Sequence, residues 1–208
     1  LSLHCQDLTV TIGETTLLTE TSFEVTDPGI IALTGANGAG KTTLLKTLAG
    51  RQLPSGGEVL INDRTPYEFD PTFRAEVASL IDTPPMARDM TLLEQLALVR
   101  ASWGQSPQAS FQSAEQTLQR LTIRGLAERF PYELSAGQLQ LFAIGLTISR
   151  PYRILLLDEP ERHLDTERVQ TLLQILRAEA QAGSIILTAT HRQEIVEGAG
   201  DQIHLSAA

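Results

Sequence analysis

The sequence predicts an α/β fold with a mostly parallel central sheet, on three observations. Short β-like runs recur at 8–12, 22–25, 30–34, 59–61, 78–81, 154–157, 184–188 and 202–205. From Ile30 onward, stretches of helical periodicity come between several of them, the alternation that winds strands into a parallel sheet. The run Ile154-Leu155-Leu156-Leu157 is apolar throughout, as in a strand buried on both faces.

Taken in order, the runs at 8–12 and 22–25 precede any helical pattern. The strand at 30–34 leads into an apolar helical pattern, Leu44, Leu45 and Leu48, that stops at Gly50. Residues 83–130 carry helical patterns and no convincing strand, so a helical subdomain of about 83–150 is expected as an insertion in one domain spanning 1–208. Its helices have readable starts. Thr91 with Glu94, and Ser135 with Gln138, have the spacing of capping boxes ahead of apolar runs. Val169, Leu172, Leu173 and Leu176 form the apolar stripe of a further helix, with Gly183 as its stop.

Composition bounds the function. A chain of 208 residues, 42% hydrophobic, can bury its own core. The net charge of −9 argues against wide contact with nucleic acid, whose binding depends on Lys and Arg neutralising phosphates. The single cysteine, Cys5, cannot form an internal disulfide; it suits a reducing compartment such as the cytosol and reads as a small buried apolar residue. No run approaches the roughly 18–20 apolar residues that span a bilayer, and the N-terminus lacks the pattern of a signal peptide. A soluble, cytoplasmic chain without direct membrane insertion is expected.

Chemistry is concentrated at two strand ends. Directly after the strand at 30–34 comes GANGAGKTT: Gly35, Ala36, Asn37, Gly38, Ala39, Gly40, Lys41, Thr42 and Thr43. It matches G-x-x-x-x-G-K-[ST] at every fixed position, between a strand and a helix as that motif requires. Glycines let successive N–H groups turn towards phosphate oxygens, and the helix N-terminus adds partial positive charge. Lys41 is expected on the β and γ phosphates, with the Thr42 hydroxyl on Mg²⁺. At the second strand end, Ile154-Leu155-Leu156-Leu157 runs into Asp158-Glu159-Pro160, where ligands bind in open α/β sheets. Asp158 is read as holding Mg²⁺ through a water, and Glu159 as the base for an attacking water.

A third element makes the resemblance specific. Leu134-Ser135-Ala136-Gly137-Gln138 resembles the LSGGQ signature of ABC-type ATPases, with one Gly replaced by Ala. The likeness extends from Leu8 to about Leu205. It implies a P-loop NTPase fold of ABC type, a mostly parallel central sheet with an N-terminal antiparallel β subdomain and an inserted helical subdomain, with ATP and Mg²⁺ as ligands and ATP hydrolysis as the reaction. It further implies a head-to-tail homodimer or heterodimer in which Ser135, Gly137 and Gln138 grip the γ-phosphate of the nucleotide on the other subunit. His191 in Thr190-His191 matches the family's switch histidine and is expected to act with Glu159 in catalysis. Asp165 matches its dimer-contact loop, with capping of the next helix an equally good reading.

The chain also departs from the family. Asp82 stands where a glutamine is usual; a carboxylate near the γ-phosphate would repel it unless Mg²⁺ bridges the two, so Asp82 either is a candidate metal ligand or stands back and leaves the role to water, with Thr83 the match if the register shifts by one. Ile12 occupies the place of the aromatic ring that stacks on adenine and offers only apolar contact, which leaves GTP open beside ATP.

What the resemblance implies overall is the nucleotide-binding subunit of an ABC transporter, peripheral on the cytoplasmic face of the membrane and driving separate transmembrane permease subunits. Segment 83–91 is the expected contact with them, and export is mildly preferred to import. The competing readings are a soluble ABC ATPase acting as an assembly or scaffold factor, and a nucleotide switch with little hydrolysis.

Overall fold

The computed structural model describes residues 1–206, which form two compact units. The first comprises Leu1–Ile81, Tyr152–Glu159 and the residues from Leu176; the second comprises Asp82–Pro151 and Pro160–Ile175.

The first unit contains both sheets. Strands β1 (Leu3–Ile12), β2 (Thr15–Val25) and β4 (Gly56–Ile61) make an antiparallel sheet in the order β2-β1-β4. Strands β3 (Gly29–Gly35), β5 (Val77–Leu80), β6 (Ile154–Asp158), β7 (Ile185–Ala189) and β8 (Asp201–Leu205) make a parallel sheet in the order β5-β6-β7-β3-β8. Strand β7 is buried along its whole length and β6 from Ile154 to Leu157, in keeping with the apolar runs 154–157 and 185–187, and β7 also buries Thr188. Helix α1 (Lys41–Leu48) seals one core: Leu44, Leu45 and Leu48 pack with Leu3, Leu8, Val10 and Leu18 of the antiparallel sheet and with Ile31, Leu33, Leu156 and Leu187 of the parallel one. Cys5 lies in this core, where burial pushes its thiol pKa up to about 12 and leaves it unreactive.

Strands β1 and β2 run further than their sequences suggest. The alternation of β1 is interrupted near Asp7, which has φ 50°, and its pairing with both neighbours shifts register there. The first half of β2, Thr-Thr-Leu-Leu-Thr-Glu-Thr, is too polar to show a clear period. Helix α2 (Pro71–Glu76) was not expected either; it is a short turn started by Asp70, whose carboxylate accepts from the Thr72 N–H at 2.8 Å.

The second unit is helical: α3 (Leu92–Ser102), α4 (Pro107–Arg120), α5 (Ala136–Ile148) and the first part of α6 (Thr166–Gln181). Both expected capping boxes are formed, at Thr91 with Glu94 and at Ser135 with Gln138. Leu92, Leu96, Leu118, Leu121, Leu141 and Phe142 are buried in this unit. Gly145 admits its neighbours closely, since a Cβ there would stand 2.8 Å from Leu121 Cδ1. The last element, α7 (Gln193–Gly198), lies between β7 and β8 in the first unit. Among the described residues, no helix is long and apolar enough to cross a membrane.

Candidate functional site

Register places the chemistry. In the parallel sheet Asp158 pairs with Ala189, and Ala189 with Leu33, so β6, β7 and β3 end level with one another. Glu159, His191 and the loop that opens at Gly35 therefore leave the sheet at one edge. The loop between β3 and α1, together with Thr15, Thr16, Leu17, Asp158, Glu159 and His191, lines a cavity of about 420 Å³.

The loop is held open by its glycines. Gly40 caps α1 with φ 91°, and a Cβ on it would lie 2.5 Å from the Leu17 carbonyl oxygen, so only glycine fits. Leu44 N–H donates to Gly40 O, the first regular bond of the helix. Among the described residues, the N–H groups of Gly38, Gly40, Lys41, Thr42 and Thr43 have no backbone acceptor. They form the kind of donor array that receives an anion at a helix N-terminus. The buried Lys41 ammonium donates to the Gly35 and Ala36 carbonyls at 2.8 and 3.0 Å, which orders the loop around it.

Across the cavity, the Thr42 hydroxyl donates to Asp158 Oδ2 at 2.6 Å. Burial raises the Asp158 carboxyl above its ordinary pKa; the Thr42 hydrogen bond opposes this, the Glu159 charge adds to it, and Lys41 and Lys46 lower it. A partly desolvated carboxylate beside a hydroxyl is a hard oxygen pair that a small divalent cation relieves. These donors fit Mg²⁺, which binds through few protein ligands and completes its shell with water and phosphate. Among the described residues no cluster of three or more His, Cys, Asp or Glu could hold a metal ion.

Glu159 stands in the left-handed region at φ 45°, with its N–H donating to Ala189 O at 2.9 Å. A non-glycine residue there carries strain of order 1 kcal/mol, of the kind concentrated at functional sites. His191 Nε2 is 3.8 Å from Glu159 Oε1. The turn carrying His191 is anchored by buried Thr190, whose N–H donates to Leu33 O and whose hydroxyl accepts from the Arg192 N–H.

The remaining candidates are placed differently. Ile12 is 58% exposed and lies outside the cavity lining, where Thr15, Thr16 and Leu17 stand instead. Those three residues were missed because nothing in a Thr-rich edge strand marks it as a ligand wall. Asp82, Ser135, Gly137 and Gln138 belong to the second unit. Ser135 caps α5: its side chain accepts from the Gln138 N–H at 3.4 Å, and its N–H donates to Gln138 Oε1 at 2.9 Å. Gly137 is buried under the chain at His163, with the Cβ position 2.7 Å from the His163 carbonyl oxygen. Asp165 caps α6 through the Arg168 N–H at 2.9 Å. Asp82 is exposed, two residues beyond the end of β5.

A phosphate-binding loop, a hydroxyl–carboxylate pair for a cation and a carboxylate–histidine pair at one edge of a parallel sheet define a P-loop nucleotide-binding protein. The particular family follows from comparison with known proteins. The chain belongs to the ABC transporter family, whose model matches residues 18–162. It is 32% identical over 211 residues to an ABC transporter ATP-binding protein of Haemophilus influenzae, covering 98% of this chain and 79% of that one. It is 32% identical over 195 residues to the spermidine/putrescine import ATP-binding protein PotA of Nitrosospira multiformis, covering 92% of this chain and 53% of that protein. The fold matches the ATP-binding subunit of an ABC transporter with a TM-score of 0.85 at 25% identity, over 99% of this chain and 86% of that one. It also matches a dimeric ATP-binding cassette bound to ADP and Pi, with a TM-score of 0.85 at 21% identity, over 98% of this chain and 94% of that one. The protein is an ATP-binding subunit of the ABC transporter class, as its motifs implied.

Proposed function

We propose that this subunit hydrolyses ATP in a head-to-tail dimer and so drives separate membrane-spanning permease subunits from the cytoplasmic face. The observation that carries the reading is the convergence of Lys41, Thr42, Asp158, Glu159 and His191 on one cavity beside a loop of unpaired N–H groups.

In this mechanism the loop N–H groups and Lys41 bind the triphosphate and spread its charge. Thr42 and Asp158 would hold Mg²⁺, which would supply positive charge to the triphosphate. Glu159 accepts a proton from water as the water oxygen bonds to the γ-phosphorus and the bond to the β–γ bridging oxygen breaks, releasing ADP and phosphate. His191, within reach of Glu159, positions the water and the γ-phosphate. Ser135, Gly137 and Gln138 offer the other subunit's γ-phosphate a capped helix start, rich in donors. Asp82 would serve as a further metal contact in place of the family's glutamine, and segment 83–91 would meet the permease.

The decisive experiment is steady-state ATP hydrolysis by the purified chain with Mg²⁺, compared with the Glu159→Gln variant and with size analysis for ATP-dependent dimers. Turnover that depends on Glu159 supports the reading; turnover unchanged in the variant sinks the assigned base. For Asp82, Mg²⁺ titration of nucleotide affinity is expected to shift to higher Mg²⁺ in Asp82→Ala, and an unshifted titration removes it from the metal site. Altering 83–91 is expected to abolish co-purification with permease subunits, and intact co-purification would reassign the contact.

A further inference from the structure

On helix α5 the side-chain amide of Gln140 donates from Nε2 to the Pro160 carbonyl at 3.1 Å, 20 positions further along the chain. Pro160 is buried and follows Glu159 directly. We propose that Gln140 is a positioning residue for hydrolysis: it fixes the peptide that follows Glu159 and so keeps the carboxylate aimed at the attacking water. This rests on the proposed role of Glu159 as the base.

The backbone of Glu159 needs such support. A φ of 45° persists in a non-glycine residue only where the surrounding structure over-determines it. On the upstream side, the Glu159 N–H donates to Ala189 O at 2.9 Å and ties the residue to β7. On the downstream side, the anchor is the bond from Gln140 to Pro160. The pyrrolidine ring locks the φ of Pro160. Between the two anchors the free torsions are therefore φ and ψ of Glu159 and ψ of Pro160. Without the Gln140 amide, the Pro160 carbonyl turns to find another donor, and Glu159 relaxes towards an ordinary conformation.

Helix α5 is built to hold this segment. Gly137 and Gln140 are one turn apart on the helix and share a face, and both meet residues 160–163. At Gly137 the fit is so close that a Cβ would stand 2.7 Å from the His163 carbonyl oxygen. Arg168 Nη1, paired with Asp165 at 3.2 Å, lies 3.2 Å from the same position. The Leu164 N–H donates to Glu161 O at 3.0 Å and closes the segment as a turn. Packing at Gly137 seats the middle of the segment, and the Gln140 hydrogen bond holds the point next to the base.

The test compares Gln140→Met, which keeps the length of the side chain without a donor, with Gln140→Glu, which keeps its shape and replaces the donor by an acceptor. In the full chain with Mg²⁺, each is expected to lower kcat by about ten- to a hundredfold, the scale of a misplacement near 1 Å, while the Kd for ATP stays within about twofold. Amide exchange at Glu159 is expected to quicken. Single-turnover hydrolysis separates positioning from general damage. In the Glu159→Gln background, Gln140→Met should change the residual rate by less than about twofold, because the group it positions is gone. Unchanged kcat in the two variants overturns the proposal, as does a loss of ATP affinity that matches the loss of kcat. An equal loss with and without the Glu159 carboxylate overturns it too, and all three results leave the base assignment intact. Failure of both variants to fold, read from melting curves, would make Gln140 structural and would also defeat the proposal. If Glu159→Gln alone turns over ATP at the parental rate, the base is wrong and the inference falls with it.

Discussion

The hydroxyl of Thr42 donates to Oδ2 of Asp158 at 2.6 Å, although the two residues are 116 positions apart in the chain. This bond joins the loop after β3 to the end of β6 and keeps the carboxylate where a cation would sit. The carboxylate is costly to hold there, because burial raises its pKa.

Asp158→Asn is expected to remove that cost. A carboxyl whose folded pKa is raised binds its proton more tightly in the folded than in the unfolded chain. Its stabilising effect is thus present below the ordinary carboxylate range and is lost as pH rises through the raised folded value. At neutral pH without nucleotide, the variant should melt at or above the parent temperature, while the gain in melting temperature from ATP with Mg²⁺ should shrink. Lower thermal stability with a full ligand-induced gain would contradict this account of Asp158.

Glu159 combines backbone strain with the proposed base. Glu159→Gln keeps the backbone and should slow turnover by about two orders of magnitude or more, with ATP affinity retained and ATP-bound dimers accumulating. Glu159→Gly relieves the strained φ and should change stability by at most about 1 kcal/mol, while also losing turnover. Urea unfolding of the three proteins beside their ATPase rates checks both statements. A large destabilisation in the glycine variant would show that the side chain has a structural role.

Gly137 is required by packing, whatever it does for phosphate. Its Cβ position is 2.7 Å from the His163 carbonyl oxygen, which cannot swing aside as a side chain could. Gly137→Ala should cost about 1–3 kcal/mol in unfolding free energy. Gly125→Ala provides the comparison, since a Cβ there meets nothing within 4 Å. Equal melting temperatures for the two variants would rule out the clash.

Gln95 organises the segment proposed to meet the permease. Its buried amide donates to the Ala87 and Met90 carbonyls at 3.0 and 2.9 Å and accepts from the Ala87 N–H at 2.9 Å. Gln95→Leu leaves these backbone groups without that partner and should cost roughly 1–3 kcal/mol. Amide exchange should quicken at Ala87. Unchanged exchange there would mean that other contacts hold the loop.

Legibility in the sequence followed the range of the interactions involved. The capping boxes at Thr91 and Ser135 were readable because both partners lie within one turn. The buried strands β6 and β7 were readable because burial on both faces leaves mostly apolar runs, unbroken in β6 from Ile154 to Leu157 and interrupted in β7 only by Thr188. Gln95 gave no signal, since the groups it satisfies lie in an irregular loop whose course only the folded chain defines. Thr15 and Thr16 gave none either, as their place on the cavity depends on the β1–β2 hairpin lying beside Gly40.

The sequence by itself determined the kind of fold, the phosphate loop, the paired acids at the end of β6 and the helix caps, all of which depend on neighbours within a few residues. Only the tertiary structure decided that Thr42 meets Asp158, that His191 stands 3.8 Å from Glu159, and that threonines rather than Ile12 line the cavity. The physical reason is strand order: β6, β7 and β3 are adjacent in the sheet but far apart in the chain, and it is their register that sets these distances.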